Sequence, residues 1–254
     1  MPSGLTLIML VLISVLSALA VAHCSEDFLG NLQVCKRNDR NIDSCLKNAV
    51  SQAVKLLADG YPEHGIQPLE PLKVGGWNVT KGSVLPFDQD YYDMKLHNYS
   101  DIVIESVSSK FDDENFYVEI IALGPHMYVD GRYEYYDAIL NGVNLTSKGK
   151  IEYYYTGYKF YVDLFGKIVK RNGVEYVDIT ACTVDVLSLD LLRIEFRSEN
   201  PELDDVITTK FNNIWKELIS DNREGYERMY SEKFKEVASS VFSAFRYDKL
   251  LPKN

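Results

Sequence analysis

Few residues of this chain are spaced for catalysis. Its four histidines, His23, His64, His97 and His126, lie far apart. No H-E-x-x-H metal helix, G-x-S-x-G nucleophile turn, phosphate-binding P-loop or G-x-G-x-x-G turn occurs. His64 and His126 stand beside Gly65 and Pro125, where loops are expected. The acid pairs Asp112-Asp113 and Asp204-Asp205 suit a turn and the first turn of a helix, where carboxylates complement the dipole. Catalysis needs a nucleophile, a base and a group that orients it, and nothing nominates such a set. We expect a non-enzyme, with no cofactor and no metal.

Covalent cross-linking and modification are better supported. Cys35 and Cys45 enclose nine residues rich in charge and asparagine, Lys36 to Ser44. A disulfide across such a loop stabilises a fold by roughly 2–3 kcal/mol. Free thiols or metal ligands are the alternative, but no His or Cys stands nearby at zinc spacing. Cys182 falls in an apolar run and reads as a buried free thiol rather than a nucleophile. Cys24 either leaves with a processed N-terminus or pairs with Cys182. Three sequons, Asn78-Val79-Thr80, Asn98-Tyr99-Ser100 and Asn144-Leu145-Thr146, mark those asparagines as glycan acceptors on surface loops.

Both modifications belong outside the cell, and the first residues are suited to direct the chain there. Met1 to Ala22 has no charged side chain, is almost continuously apolar from Leu5 to Leu16, and ends in Ala20-Val21-Ala22. That is the pattern of a signal peptide over residues 1–22, with cleavage after Cys24 as a second site and a retained anchor as the competing reading. Residues 23–254 then form the mature chain, long enough for one large domain or two small ones. The full chain's hydrophobic fraction of 46% is ample for a core, and the net charge of −10 comes without Lys/Arg clusters. Such a chain is not expected to bind nucleic acid or an anionic membrane. A secreted monomer without a membrane span follows.

The elements that would carry these residues show in the hydrophobic period. Leu46, Ala49, Val50, Ala53, Val54 and Leu57 recur at helical spacing between a capping Asp43 and a terminating Gly60. Pro62, Pro68 and Pro71 forbid regular helix beyond it. From about Leu72 to Arg197 the period changes to two. Asn172-Gly173 between two apolar runs predicts a type I′ hairpin, with Asp130-Gly131 and Asn141-Gly142 as further turn candidates. Tyr153-Tyr154-Tyr155, Tyr158 and Tyr161 put rings on both faces of a strand, for packing or as a sugar platform. Asn200-Pro201 starts a final helix whose stripe runs from Leu203 to Phe245. About 43 residues of helix would span roughly 64 Å, against about 45 Å for a compact domain of this size. The molecule is elongated or the helix bends, with Gly225 as the weak point.

The pattern is that of an α+β fold, a long helix cradled by a curved antiparallel sheet. If the sheet curls around the helix, the two apolar surfaces need not meet everywhere and a hydrophobic tunnel remains. Close packing of the same residues is the alternative, and composition does not separate the two. The tunnel's helix wall is expected to be Phe211, Ile214, Trp215, Leu218, Tyr230, Phe234, Val237, Val241 and Phe245, its sheet wall Ile104, Val118, Ile120, Ile179 and Ile194. The partner expected there is a small hydrophobic ligand.

Three regions also resemble a known family. Val34-Cys35-Lys36-Arg37-Asn38-Asp39, Asn41-Ile42-Asp43-Ser44-Cys45 and Gly65-Ile66-Gln67-Pro68-Leu69-Glu70-Pro71-Leu72 resemble the opening of the insect takeout/juvenile-hormone-binding proteins. Phe211-Asn212-Asn213-Ile214-Trp215-Lys216-Glu217-Leu218 and Tyr247-Asp248-Lys249-Leu250-Leu251-Pro252 resemble its end, and the Lys170-Arg171-Asn172-Gly173-Val174-Glu175-Tyr176 hairpin its middle. The resemblance implies one elongated domain in which a highly curved antiparallel sheet wraps the long C-terminal helix and encloses a ligand tunnel, a wrap found also in lipid-binding proteins of the bactericidal/permeability-increasing type, with Cys35–Cys45 as the N-terminal disulfide. It implies carriage of juvenile hormone, other terpenoids, fatty acyl or quinone-like lipids, in settings that include circadian output. Family members often carry Pro in the last helix where this chain has Asn222-Arg223-Glu224-Gly225. The second disulfide of the hormone-binding subgroup has only Cys182 and Cys24 to draw on, which favours a takeout-like member.

Overall fold

The computed structural model describes residues 28–253. The expected signal segment, His23 and Cys24 lie outside them. Helix α1, Ile42–Leu56, forms where the stripe of apolar residues requires it. Its cap differs from expectation. Asn41 holds the cap position without a side-chain bond, and Asp43 lies in the first turn. The helix stops at Leu56, capped by Leu57, because Gly60 at φ 72° serves to reverse the chain after it. A Cβ there would come within 2.6 Å of the Pro68 backbone nitrogen.

Nine strands follow: β1 Leu72–Val79, β2 Gln89–His97, β3 Val103–Phe111, β4 Asn115–Tyr135, β5 Ile139–Leu140, β6 Val143–Asn144, β7 Ser147–Arg171, β8 Val174–Ser188 and β9 Leu191–Arg197. The axis of the sheet is the antiparallel pair β4 and β7, which stay in register from Asn115↔Lys167 to Tyr135↔Ser147. Two short strands flank each. On β4, β3 pairs with Val118 and its neighbours, and β2 takes over from Tyr128 to Tyr135. On β7, β9 pairs from Lys150 to Thr156 and β8 from Lys159 to Arg171. At the changeover, near Pro125 and Gly157, both long strands switch which alternate residues face inward. Phe116, Val118 and Ala122 give way to Met127, Val129 and Tyr133 on β4; Phe160 and Val162 give way to Tyr153 and Ile151 on β7. Gly157, at φ 64°, allows the switch.

Asn172-Gly173 (φ 52° and 81°) and Asn141-Gly142 (φ 53° and 77°) form the two-residue turns expected of type I′ hairpins. Asp130-Gly131 does not turn. It lies inside β4, where Gly131 brings the chain against Met94 and the Tyr92 carbonyl.

The final helix follows Asn200, whose side chain accepts from Leu203 N–H at 3.2 Å. It runs in three pieces: α2 Pro201–Asn213, α3 Trp215–Asp221 and α4 Arg223–Ala244. The breaks fall at Ile214 and Asn222, not at Gly225, which lies within α4. Asn222 Nδ2 donates back to the Leu218 carbonyl at 3.2 Å, a local bond that competes with regular helix. Asp221 then pins the corner by accepting from Ser83 Oγ at 2.6 Å and Val84 N–H at 3.3 Å. A last turn, α5 Tyr247–Leu250, closes the chain.

The helices also finish the sheet. Ser231 and Glu227 of α4 accept the N–H groups of Val184 and Val186 on β8. Asn212 of α2 brackets Ile194 on β9, accepting from its N–H and donating to its carbonyl. Edge groups that would otherwise invite another strand are thereby occupied. The result is the single α+β domain with a strongly curled antiparallel sheet around the C-terminal helix.

Candidate functional site

The two halves of the sheet are filled differently. Beside β9 and α2, the rings of Tyr133, Tyr135, Phe196 and Phe211 pack within 4.8–6.0 Å of one another. At the other end the facing side chains are mostly aliphatic, and they do not fill the space. A cavity of about 220 Å³ remains between α1, the β3–β4–β7 face and α4. An engineered apolar void of about 150 Å³ already stays dry and accepts benzene.

Six of the expected wall residues come together on it: Phe234, Val237 and Val241 from α4, and Ile104, Val118 and Ile120 from the sheet. Tyr230 lies beyond, on a void of about 10 Å³. Phe211, Leu218, Phe245, Ile179 and Ile194 are buried in solid core, and Ile214 and Trp215 are partly buried beside it. The structure does not place these seven on the cavity. The aromatic cluster and the turn at Asn222 set the residues of α2, α3 and β9 apart from it. Phe245 stacks on Phe28 at 4.8 Å, and Ile179 lies on β8, outside the β3–β4–β7 face.

Sequence reasoning missed the roof. Leu46, Ala49, Val50, Ala53 and Val54 of α1 and its capping Leu57 all line the cavity, as do Phe28, Leu32, Leu250 and Leu251 from the chain ends. The signal was present, since α1 showed an apolar stripe that needed something to cover.

The wall carries no charged side chain. Gln33 and Tyr99 are the lining residues with a polar N or O in the side chain. Gln33 is held by the roof, its N–H donating to Gln52 Oε1 at 2.8 Å and its Nε2 to Cys45 Sγ at 3.3 Å. Burial raises the Tyr99 hydroxyl well above its ordinary value, so it stays neutral. The Cys35–Cys45 disulfide, with Cα atoms 5.7 Å apart, anchors the start of α1, and Cys35 itself faces the cavity. Cys182 of β8 is a free thiol, half-buried opposite Leu164; burial first, then the Asp163 carboxylate, pushes it up to about 12. No group of three or more His, Cys, Asp or Glu that could hold a metal occurs among the described residues. No described helix is long and apolar enough to cross a membrane.

The sequons differ in presentation. Asn78 and Asn144 are exposed, and Asn98 is half-buried with its Nδ2 donating to the His126 carbonyl at 3.1 Å. Asn78 Nδ2 donates to Asp90, whereas Asn144 accepts from Thr146 N–H through Oδ1 at 2.9 Å.

A curled sheet closed by helices around an uncharged cavity defines a carrier of hydrophobic ligands. The chain belongs to the haemolymph juvenile hormone binding protein family, whose family model matches residues 10–252. The fold is similar to the crystal structure of Epiphyas postvittana Takeout 1, with a TM-score of 0.71 and 19% identity over 87% of this chain and 99% of that one. A lipopolysaccharide binding protein matches more distantly, with a TM-score of 0.38 and 13% identity over 68% of this chain and 34% of that one. Comparison with curated proteins finds no match.

Proposed function

We propose that the protein is a secreted, monomeric carrier that takes a small hydrophobic lipid into the cavity beneath α1 and shields it from water. One observation carries this reading: a wall without a charged side chain surrounds about 220 Å³ of interior space. Each Å² of apolar ligand surface buried there contributes about 25 cal/mol. The family's name favours juvenile hormone or another terpenoid; fatty acyl and quinone-like lipids fit the same wall. A signal peptide over residues 1–22 and glycans on Asn78, Asn98 or Asn144 belong to the same proposal. So does a binding rather than catalytic role.

The test is to purify the protein natively from the secreting cells, extract it with organic solvent and identify the lipids by mass spectrometry. A stoichiometric apolar lipid supports the carrier. A lipid-free protein that also fails to bind N-phenyl-1-naphthylamine at micromolar concentration points instead to a surface-acting interaction protein. N-terminal sequencing of the same sample should begin at His23 or Ser25; retained Met1 contradicts the signal peptide.

A further inference from the structure

Net charge alone predicts no affinity for an anionic membrane, but the charge of this chain is spread unevenly. Residues 36–55, the loop before α1 and the helix itself, hold five cations and two carboxylates. That segment is +3, so the remainder of the −10 chain carries −13. Lys36, Arg40, Lys47 and Lys55 are exposed, and none forms an ion pair among the described residues. Arg37, the fifth, lies over the Tyr247 ring at 4.1 Å. Both acids are held by other bonds. Asp39 accepts the Asn41 N–H at 2.8 Å, and Asp43 accepts the Ser109 hydroxyl at 2.6 Å.

The fold gathers these cations over the cavity. Leu46, Ala49, Val50, Ala53 and Val54 turn one side of α1 to the interior. Lys47, Asn48, Gln52 and Lys55 are left on the side exposed to solvent, and no acid occurs between Asp43 and Asp59. Lys47 and Lys55 lie about 12 Å apart along the helix axis. The loop adds to them, because the Cys35–Cys45 disulfide and the bond from Gln33 N–H to Gln52 hold this stretch beside the helix. Val34, 47% exposed, supplies an apolar contact at the same edge. The outer face of the sheet is built otherwise. Its row Arg132, Lys150 and Arg197 across β4, β7 and β9 runs beside the row Asp130, Glu152 and Glu195. Arg197 meets Glu152 at 3.3 Å and Glu195 at 3.0 Å. Cations are thus interleaved with carboxylates on the sheet and gathered on the roof.

We propose that the outer side of α1, with the loop from Val34 to Arg40, is a docking surface for a membrane leaflet bearing anionic headgroups. Basic residues grouped on an amphipathic helix are drawn to such a leaflet, with an attraction that decays within about 10 Å at ordinary salt. The negative remainder of the molecule is repelled by the same leaflet, which orients the roof toward it. The cavity then lies about one helix diameter, roughly 10 Å, from the phase in which an apolar ligand dissolves. A sulfated polymer would read the cations alone; their place over the cavity and the exposed Val34 favour the lipid surface. The proposal goes beyond the carrier reading, and its test needs no cargo. Loss of probe binding leaves it standing, and loss of vesicle binding leaves the carrier standing.

The test floats purified protein with vesicles of phosphatidylcholine, and with vesicles of phosphatidylcholine and phosphatidylglycerol in equal parts. Wild type should float with the mixed vesicles only, and raised sodium chloride should release it. Lys47→Glu/Lys55→Glu should weaken that binding at least about tenfold, since each basic residue near such a surface adds several-fold. Lys36→Glu/Arg40→Glu, outside the helix, should do the same, so the outcome does not depend on how α1 tolerates change. Lys148→Glu/Lys150→Glu makes an equal charge change at exposed positions of β7 and should bind as wild type does. Equal flotation with phosphatidylcholine alone overturns the proposal, as does no flotation with either. Roof variants that bind like wild type overturn it as well. So does an equal loss in the β7 variant, because total charge would then be the cause. Retention on heparin-agarose in salt that already strips the vesicles makes a sulfated polymer the partner instead.

Discussion

The hydroxyl of Ser109 donates to Oδ1 of Asp43 at 2.6 Å, tying the first turn of α1 to the edge strand β3. The roof of the cavity is thus fastened at its N-terminal end by this bond and by the Cys35–Cys45 disulfide. Ser109→Ala removes the bond and leaves the carboxylate unpaired, a loss of about 1–2 kcal/mol. At about 2–4 °C per kcal/mol for a domain of this size, the midpoint should fall by several degrees. Stopped-flow release of N-phenyl-1-naphthylamine should quicken. An unchanged release rate means that α1 is not the way out.

Val237 separates a cavity wall from ordinary core. Enlarging a packed core residue costs about 1–3 kcal/mol because neighbours must move. Val237 is partly buried and faces the void. Val237→Trp should therefore hold the thermal midpoint within a degree or two while weakening probe binding at least tenfold. Easy unfolding of this variant makes the stripe mere core.

Cys182 tests the interior in another way. Its thiol is pushed up to about 12 by burial and by Asp163, and the thiolate is the reactive form. Iodoacetamide at pH 8 should leave Cys182 unmodified in folded protein and alkylate it fully in denaturant. Rapid labelling of the native protein contradicts the burial described here.

The parts of the fold legible in the sequence were those set by local rules. The stripe of α1, the Asn200-Pro201 helix start and the two Asn-Gly turns each depend on residues a few positions apart. Asp130-Gly131 has a turn signature too, but its glycine answers to Met94 and Tyr92, distant residues that no local pattern reveals.

The same limit explains the candidate site. One apolar stripe runs through the last helix without marking which part faces space and which faces Tyr133, Tyr135 and Phe196. Ring volume on other strands decides that. Phe211 therefore became core and Val237 a cavity wall, though both occupy the same stripe.

Acid should act through the helix corner. Hydrogen bonds from Ser83 and Val84 lower the pKa of Asp221 below its ordinary 3.8. A group depressed in the folded state contributes stability above its unfolded value, and that contribution is lost as pH falls through the folded value. Wild type should lose stability below about pH 4. Asp221→Asn, which keeps an acceptor oxygen but cannot titrate, should show a flatter decline in urea titrations between about pH 5 and about pH 2.5, an interval that brackets the ordinary carboxylate range. Identical pH profiles mean that the corner bond does not couple to folding.

Gly157 marks the place where both long strands switch their inward faces, and two costs can be separated there. Its φ of 64° is disfavoured for any residue with a Cβ, by about 1–2 kcal/mol. Gly173 in the β7–β8 turn has a φ of 81° but nothing within 4 Å of an added Cβ. At Gly157 an added Cβ would run into the Asp190 carboxylate, and Asp190 N–H donates to the Thr156 carbonyl at 3.1 Å. Gly173→Ala should therefore report the backbone cost alone. Gly157→Ala should report that cost plus the displacement of the turn between β8 and β9. We expect the second variant to be less stable than the first by at least about 1 kcal/mol in chemical denaturation, in the range of strained packing changes. Because β9 seats α2 through Asn212, the loss should extend to protection of the Ile194 amide in hydrogen exchange. Equal destabilisation by the two variants would show that the Asp190 turn yields freely, and that the face switch depends on the backbone of Gly157 alone.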